Sequence, residues 1–318
     1  MPRISNLAQH NFNLFSTLNT QSRLFKAQTQ VSSGDKSQDF AGIDREAGRL
    51  VNIKNELERV NQFQDNIDRT DRRLDLMGFS LGRIEEVARD FRSTLLNAQN
   101  GATADTIGLK ELSQGLLDQI VDLLNVRDES RYLFAGGNIQ TKPVDLNNGT
   151  YVPPTVPPFP TTADTDWYNG DAVIQEARVD EGFSISYGIT ADSNALEKVI
   201  RSFDAISEIN FSTPPTVAEL QAVRDAITLL TEAIEQNTVG QKTIGELFGQ
   251  VELDRKLIND VNVKHNNFLL FAETNIADIE QVNVAEAVST LNFEQITLEA
   301  SFATLARVQQ LSLNDFLR

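Results

Sequence analysis

The chain of 318 residues carries 28 basic against 45 acidic side chains, a net charge of −17, and 40% of its residues are hydrophobic. That apolar share supports a buried core in one to three domains, while the acid excess gives no general attraction to phosphate backbones or anionic lipid and argues against nucleic-acid and membrane partners. Cysteine is absent, which excludes disulfides, thiolate chemistry and cysteine-based metal centres.

The first residues, Met1 to Asn6, lead into mixed polar and apolar sequence rather than the apolar stretch of a secretory leader. The longest apolar run, Phe268 to Ala272, is far short of the roughly 20 residues that cross a bilayer. Residues 1–32 contain no glycine, and Ile4, Leu7, Leu14, Leu18 and Phe25 recur at spacings of three, four or seven, which predicts one amphipathic helix. Asn11 and Gln21 fall on the same seam and weaken a two-helix zipper, as suits a helix that completes its packing inside a larger assembly. Ser32-Ser33-Gly34-Asp35 then supplies turn chemistry.

Between about residues 45 and 100, Ile53, Val60, Ile67, Leu74, Leu81, Ala88 and Leu95 follow at a period of seven. Leu50, Leu57, Met77, Ile84, Phe91 and Ala98 widen the stripe. This predicts a coiled-coil-like helix roughly 80 Å long and hence an elongated molecule. A second, more broadly apolar helix follows from Leu112 through Leu124 to about Asp128.

From about residue 131 to 212 most of the prolines and the single tryptophan, Trp167, gather, and no helical period is read. Strands are expected at Val173 to Val179 and Phe183 to Ile189, with turns at Asn147-Asn148-Gly149, Asn169-Gly170 and Asp180-Glu181-Gly182. Helical pattern returns at Val217 to Ile234, resumes after Gly240 at Ile244, Leu247, Val251, Ile258 and Val261, and ends in a third stretch. There Val284, Leu291, Leu298 and Leu305 repeat every seven residues, Val288, Phe302 and Phe316 occupy the companion seam, and Gln295 and Gln309 interrupt it. The expected fold class is mainly α with a β-rich insert: a coiled-coil-like helical bundle formed by the N- and C-terminal segments, with a small β domain in the middle. The expected division is an N-terminal assembly helix and turn (1–44), a helical core in two halves (45–130 and 216–283), a β-rich variable domain (131–215) and a C-terminal assembly helix (284–318).

Three segments resemble the flagellin superfamily. Gln30-Val31-Ser32-Ser33-Gly34 through Asp39-Phe40-Ala41-Gly42 looks like the element that follows the first helix in that family, with Phe40 where proline or alanine is usual. Arg131-Tyr132-Leu133-Phe134-Ala135-Gly136-Gly137 looks like the segment closing the second helical stretch in hook-filament junction proteins, and Gln310 to Arg318 is similar to their tail. The resemblance covers roughly residues 1–137 and 217–318.

It implies a structural, non-enzymatic subunit of the bacterial flagellum without cofactors. Such a subunit is secreted through the flagellar type III pathway with an export chaperone, and assembles outside the cell as a ring or helical array of copies, next to flagellin and the other hook-associated protein. The contacts are expected from the seams of the terminal helices: Leu7, Leu14, Leu18, Phe25, Leu291, Leu298, Phe302, Leu305 and Phe316. A filament-forming flagellin shares the same ends and is the alternative. A third class is a carbohydrate binder built around Trp167 and Tyr168.

Catalytic signals are thin. The two histidines, His10 and His265, are embedded in helical pattern and form no metal cluster. Paired acids such as Glu85-Glu86 read as a solvated helix face, and no phosphate-binding glycine motif or zinc-protease motif occurs. Pro153 to Pro160 reads as a stiff loop, and Asn148-Gly149-Thr150, although a glycosylation sequon, reads as a turn.

Overall fold

The computed structural model describes residues 2–43, 45–99, 108–153, 163–235 and 239–316. Pro154 to Pro160, expected as a stiff loop, and the side chains of Leu7, His10 and Phe316 lie outside the described residues.

Among the described residues the chain is mainly helical with two small antiparallel sheets. In order these are α1 (Pro2–Ser33), a short 3-10 turn (Phe40–Ile43), α2 (Ala47–Ala98), α3 (Leu109–Leu124), β1 (Arg127–Asp128), β2 (Arg131–Tyr132), β3 (Gln175–Asp180), β4 (Phe183–Tyr187), α4 (Asn194–Ser207), α5 (Val217–Ile234), α6 (Ile244–Glu280) and α7 (Val284–Phe316). The chain divides into two compact units, Met1–Arg59 with Asn266–Arg318, and Val60–His265.

The core of unit 60–265 is the heptad stripe of α2. Ile67, Leu74, Leu81, Ala88 and Leu95, with Met77, Ile84 and Phe91 beside them, are all buried, as the period of seven requires when one face is covered. Against them pack Leu117, Ile120 and Leu124 of α3 and Ile244, Leu247, Val251 and Ile258 of α6. At Gly78 an added Cβ would lie 3.4 Å from the Glu252 carboxylate and 3.6 Å from Val251, so the absent side chain gives α6 its close approach to α2. Two helices begin with reciprocal caps of the Thr-x-x-Glu type. Thr216 and Glu219 cap α5, and at α6 the Thr243 N–H donates to Glu246 Oε2 (2.8 Å) while the Glu246 N–H donates to Thr243 Oγ1 (3.2 Å).

The hairpin lies close to the expected place. β3 and β4 pair antiparallel with Asp180 opposite Phe183, so Glu181-Gly182 is a two-residue turn, and Gly182 has φ +72°, the region such turns demand. A register shift at Val179 buries that side chain completely.

Two boundaries differ from the sequence expectation. α3 ends at Leu124 because the Asn125 carboxamide turns away to Val144, accepting from its N–H and donating to its C=O at 3.0 Å each. More substantially, α4 is a helix in a region where no helical period was read. Leu196, Val199, Ile200 and Phe203 do carry the i, i+3, i+4, i+7 spacing, but the charged residues among them are buried too. Arg201 Nε lies 2.8 Å from Glu197, Lys198 Nζ 2.9 Å from Glu232, and the Tyr151 hydroxyl donates to Asp204 at 2.5 Å. A buried helix with internally paired charges hides its apolar face from a pattern that expects charge to mean solvent. Phe203 stacks on Phe91 with ring centroids 4.2 Å apart, which fastens α4 to α2.

Candidate assembly interface

In unit 1–59 with 266–318, α1 packs on α7. The covered face of α1 is Asn13, Thr17, Thr20, Leu24, Ala27 and Val31, and that of α7 is Ala287, Leu291, Glu294, Leu298, Ser301 and Leu305. Both sets step by four and three residues, the repeat of two helices lying side by side. Their run is antiparallel, since Arg23 reaches Glu294 while the turn after α1 meets the start of α7. The seam is short of hydrocarbon. The Thr17 and Thr20 hydroxyls donate back to the carbonyls of Asn13 (2.8 Å) and Ser16 (3.0 Å), and Arg23 Nε donates to the buried Glu294 at 2.8 Å while its Nη2 donates to Thr20 Oγ1 at 3.2 Å.

The turn element ties the two ends of the chain. Gly34, at φ +80°, closes α1 with its N–H on Gln30 C=O (2.9 Å) and accepts from the Val282 N–H (2.9 Å), while the Lys36 N–H donates to Glu280 C=O (2.7 Å). Gly is required there because the left-handed backbone disfavours a side chain. Asn283 then caps α7, accepting from the Ala285 N–H at 3.1 Å. Arg49 Nη2 to Asn275 Oδ1 (2.6 Å) and Lys54 Nζ to Glu280 (2.5 Å) hold the start of α2 to the end of α6.

The residues expected at the interface fall into two groups. Leu14, Leu18 and Phe25 of α1 and Phe302 of α7 are exposed. Leu291, Leu298 and Leu305 are half-buried on the face that α7 turns to α1. On α1 the exposed stripe lies roughly a third of a turn from the covered one. Asn11 and Gln21 are exposed as well, so the described part of that seam, from Asn11 to Phe25, is not the face that α7 covers. Sequence reading missed Phe12, Phe15, Phe293 and Ile296, which are exposed on the same two helices and which only a full count of apolar residues off the seam would have found. These exposed apolar side chains make the open faces of α1 and α7 the candidate interface.

The Arg131 to Gly137 segment is structural in this fold. Phe134 is fully buried, and its C=O accepts from the Ala191 N–H at 3.0 Å. Gly136 has φ +66°, and a Cβ there would sit 2.2 Å from the Asp171 carbonyl oxygen. The Gly137 N–H donates to Asp171 Oδ1 at 2.6 Å, so the paired glycines let the chain close on that loop.

No family model matches the sequence and no curated protein aligns with it. Solved structures do. A flagellar hook-associated protein from Vibrio parahaemolyticus superposes with a TM-score of 0.54 at 17% identity, over 76% of this chain and 100% of that one. The chain has the fold of a flagellar hook-associated protein. Looser likenesses are to FlgL of Bacillus cereus (TM-score 0.47, 14% identity, 73% of this chain and 99% of that one) and to flagellar hook-associated protein-3 of Legionella pneumophila (0.44, 15%, 81% and 98%).

Within this hook-associated fold the residues weighed for other chemistry are occupied. Trp167 is buried, its Nε1–H donating to Asp164 C=O at 2.8 Å and its ring meeting Tyr168 edge-on at 6.3 Å, so it offers no platform for a sugar. His265 is buried: it stacks on Phe63 (5.8 Å) and its Nε2 lies 2.7 Å from Val179 C=O. Beside it Lys264 Nζ, 2.7 Å from Asp180, holds that carboxyl below the usual carboxylate range. Asn148 Oδ1 accepts from the N–H groups of Thr150 and Tyr151 at 3.0 Å each, the local bonding of a turn. Among the described residues no three metal-ligating side chains cluster and no helix is long and apolar enough to cross a membrane.

Proposed function

We propose that the chain is a structural, non-enzymatic subunit of the bacterial flagellum that joins the hook to the filament. The observation that carries this reading is the pairing of α1 and α7 through a polar, thinly apolar seam while Leu14, Leu18, Phe25 and Phe302 stay exposed. A helix pair of this kind gains little from its own contact and much from a neighbour that covers the outer face. The hook-associated fold and the three family-like segments support the same reading.

In this account the chain is exported through the flagellar type III pathway with a chaperone that shields the apolar stripe. It then assembles outside the cell with further copies in a ring or helical array, between the other hook-associated protein and flagellin. Leu7, Leu14, Leu18, Phe25, Phe302 and Phe316 form the contact, and Leu291, Leu298 and Leu305 hold α7 in register on α1.

Deletion of the gene in the source bacterium tests it. The expected phenotype is hooks without filaments and flagellin shed into the medium; intact filaments refute it. Purified chain seeded with filament fragments should stay short, whereas growth of long filaments would make it the filament subunit.

A further inference from the structure

In a chain with 45 acidic and 28 basic residues, cations are expected to be paired with acids. Yet three arginines with no ion pair among the described residues line one cleft of unit 60–265. The cleft, about 310 Å³, takes Arg69 and Arg73 from α2, Arg131 from β2 and Arg178 from β3, and Glu176 is the one acid in its described lining.

Arg73 is already engaged. Its Nε donates to the buried Asp128 at 2.9 Å and its Nη1 to the Tyr187 hydroxyl at 3.3 Å; burial opposes its charge, but these two bonds raise its pKa above the ordinary arginine value. The other three are held by neutral groups. Arg69 Nε donates to Asp65 C=O (3.0 Å), Arg131 Nη2 donates to Gln175 Oε1 (3.2 Å), and Arg178 lies over the Phe63 ring at 5.9 Å. Gln175 is itself fixed by its Nε2–H on Gly136 C=O at 2.7 Å. Each guanidinium carries five N–H donors, and these contacts take up at most one of them.

We propose that this cleft is a docking site for a pair of carboxylates on an acidic protein segment. Arginine forks bind carboxylates in two-point contacts, and their origin on three separate elements fixes a spacing that a segment with two or more acids can match and a single ion cannot. The cleft holds side chains rather than a nucleotide. Singly charged carboxylates tolerate Glu176 in the lining better than multiply charged phosphates do. The proposal stands whether or not the chain is a flagellar subunit.

The test is fluorescence anisotropy of fluorescein-labelled hexaglutamate with the full chain, competed with inorganic triphosphate. Saturable binding is expected, weakened about tenfold by R131Q/R178Q and about threefold by R178Q alone, as loss of partly exposed charge contacts implies. R224Q should leave binding unchanged, since Arg224 lies outside the cleft and bonds Gln221. Because Arg178 is exposed and holds no acid, R178Q keeps the test valid if the double variant does not fold. Absence of binding, equal weakening by R224Q, or triphosphate binding more tightly than the peptide each overturn the proposal.

Discussion

Replacing Leu14, Leu18 and Phe25 together by serine separates the two roles a terminal helix can have. These side chains are 46%, 55% and 71% exposed. An aromatic side chain buries roughly 200 Å² when fully covered, so a neighbour that covers the open part of Phe25 removes about 140 Å² from water, worth about 3.5 kcal/mol at 25 cal/mol per Å². Each leucine, about half open, adds about 1 kcal/mol on the same scale. The triple variant therefore forfeits about 5.5 kcal/mol of association, roughly 10,000-fold, as an upper bound. Nothing comparable is lost within the subunit, because the covered face of α1 is Asn13, Thr17, Thr20, Leu24, Ala27 and Val31. Circular-dichroism melting of the free variant should match the parent within about 0.5 kcal/mol, while a strain carrying it should fail to build filaments. A melting point that falls as far as for a core substitution would mean the stripe is covered within the subunit, and normal filaments would mean it faces no neighbour.

Other substitutions probe the frame. Leu81→Asp places a carboxylate in a fully buried stripe and should cost about 4 kcal/mol or more, lowering the melting temperature by about 10 °C; an unchanged melt would put that stripe in solvent. Gly136→Ala forces a Cβ within 2.2 Å of the Asp171 carbonyl at φ +66° and should destabilise by about 3 kcal/mol in denaturant titration, whereas a neutral result would show that the loop yields freely. Burial pushes the Asp204 and Glu197 carboxyls above their usual range, against the Tyr151 bond at Asp204 and the Arg201 charge at Glu197. A raised folded-state pKa contributes stability that is present below the unfolded value and lost as pH rises through the folded one. Asp204→Asn, which keeps an acceptor for Tyr151, should therefore melt above the parent at pH 7, with the gap closing below the ordinary carboxylate pKa; a lower melt at pH 7 contradicts this.

What was legible in the sequence depended on how local the signal was. The seven-residue repeat of α2 and the Glu181-Gly182 turn are written in neighbouring residues, and both appear in place. α4 escaped because its charged residues are buried in pairs, Glu197 with Arg201 inside the helix and Lys198 and Asp204 with Glu232 and Tyr151 of other segments, so charge there does not mean exposure. The terminal seams were visible, but a helix does not say which of its stripes meets its partner. Leu291, Leu298 and Leu305 turn toward α1 while Leu14, Leu18 and Phe25 turn outward. The arginine cleft joins Arg69, Arg131 and Arg178, positions only the fold brings together.

The central claim, that the outer face of the α1 and α7 pair is covered by neighbours in the flagellum, is open to direct labelling because the chain has no cysteine of its own. Single Leu18→Cys and Phe302→Cys variants can be treated with a maleimide dye as free subunits and within isolated flagella. Fast labelling of the free subunit and strong protection in the flagellum are predicted at both positions. Equal labelling in the two states would contradict the account.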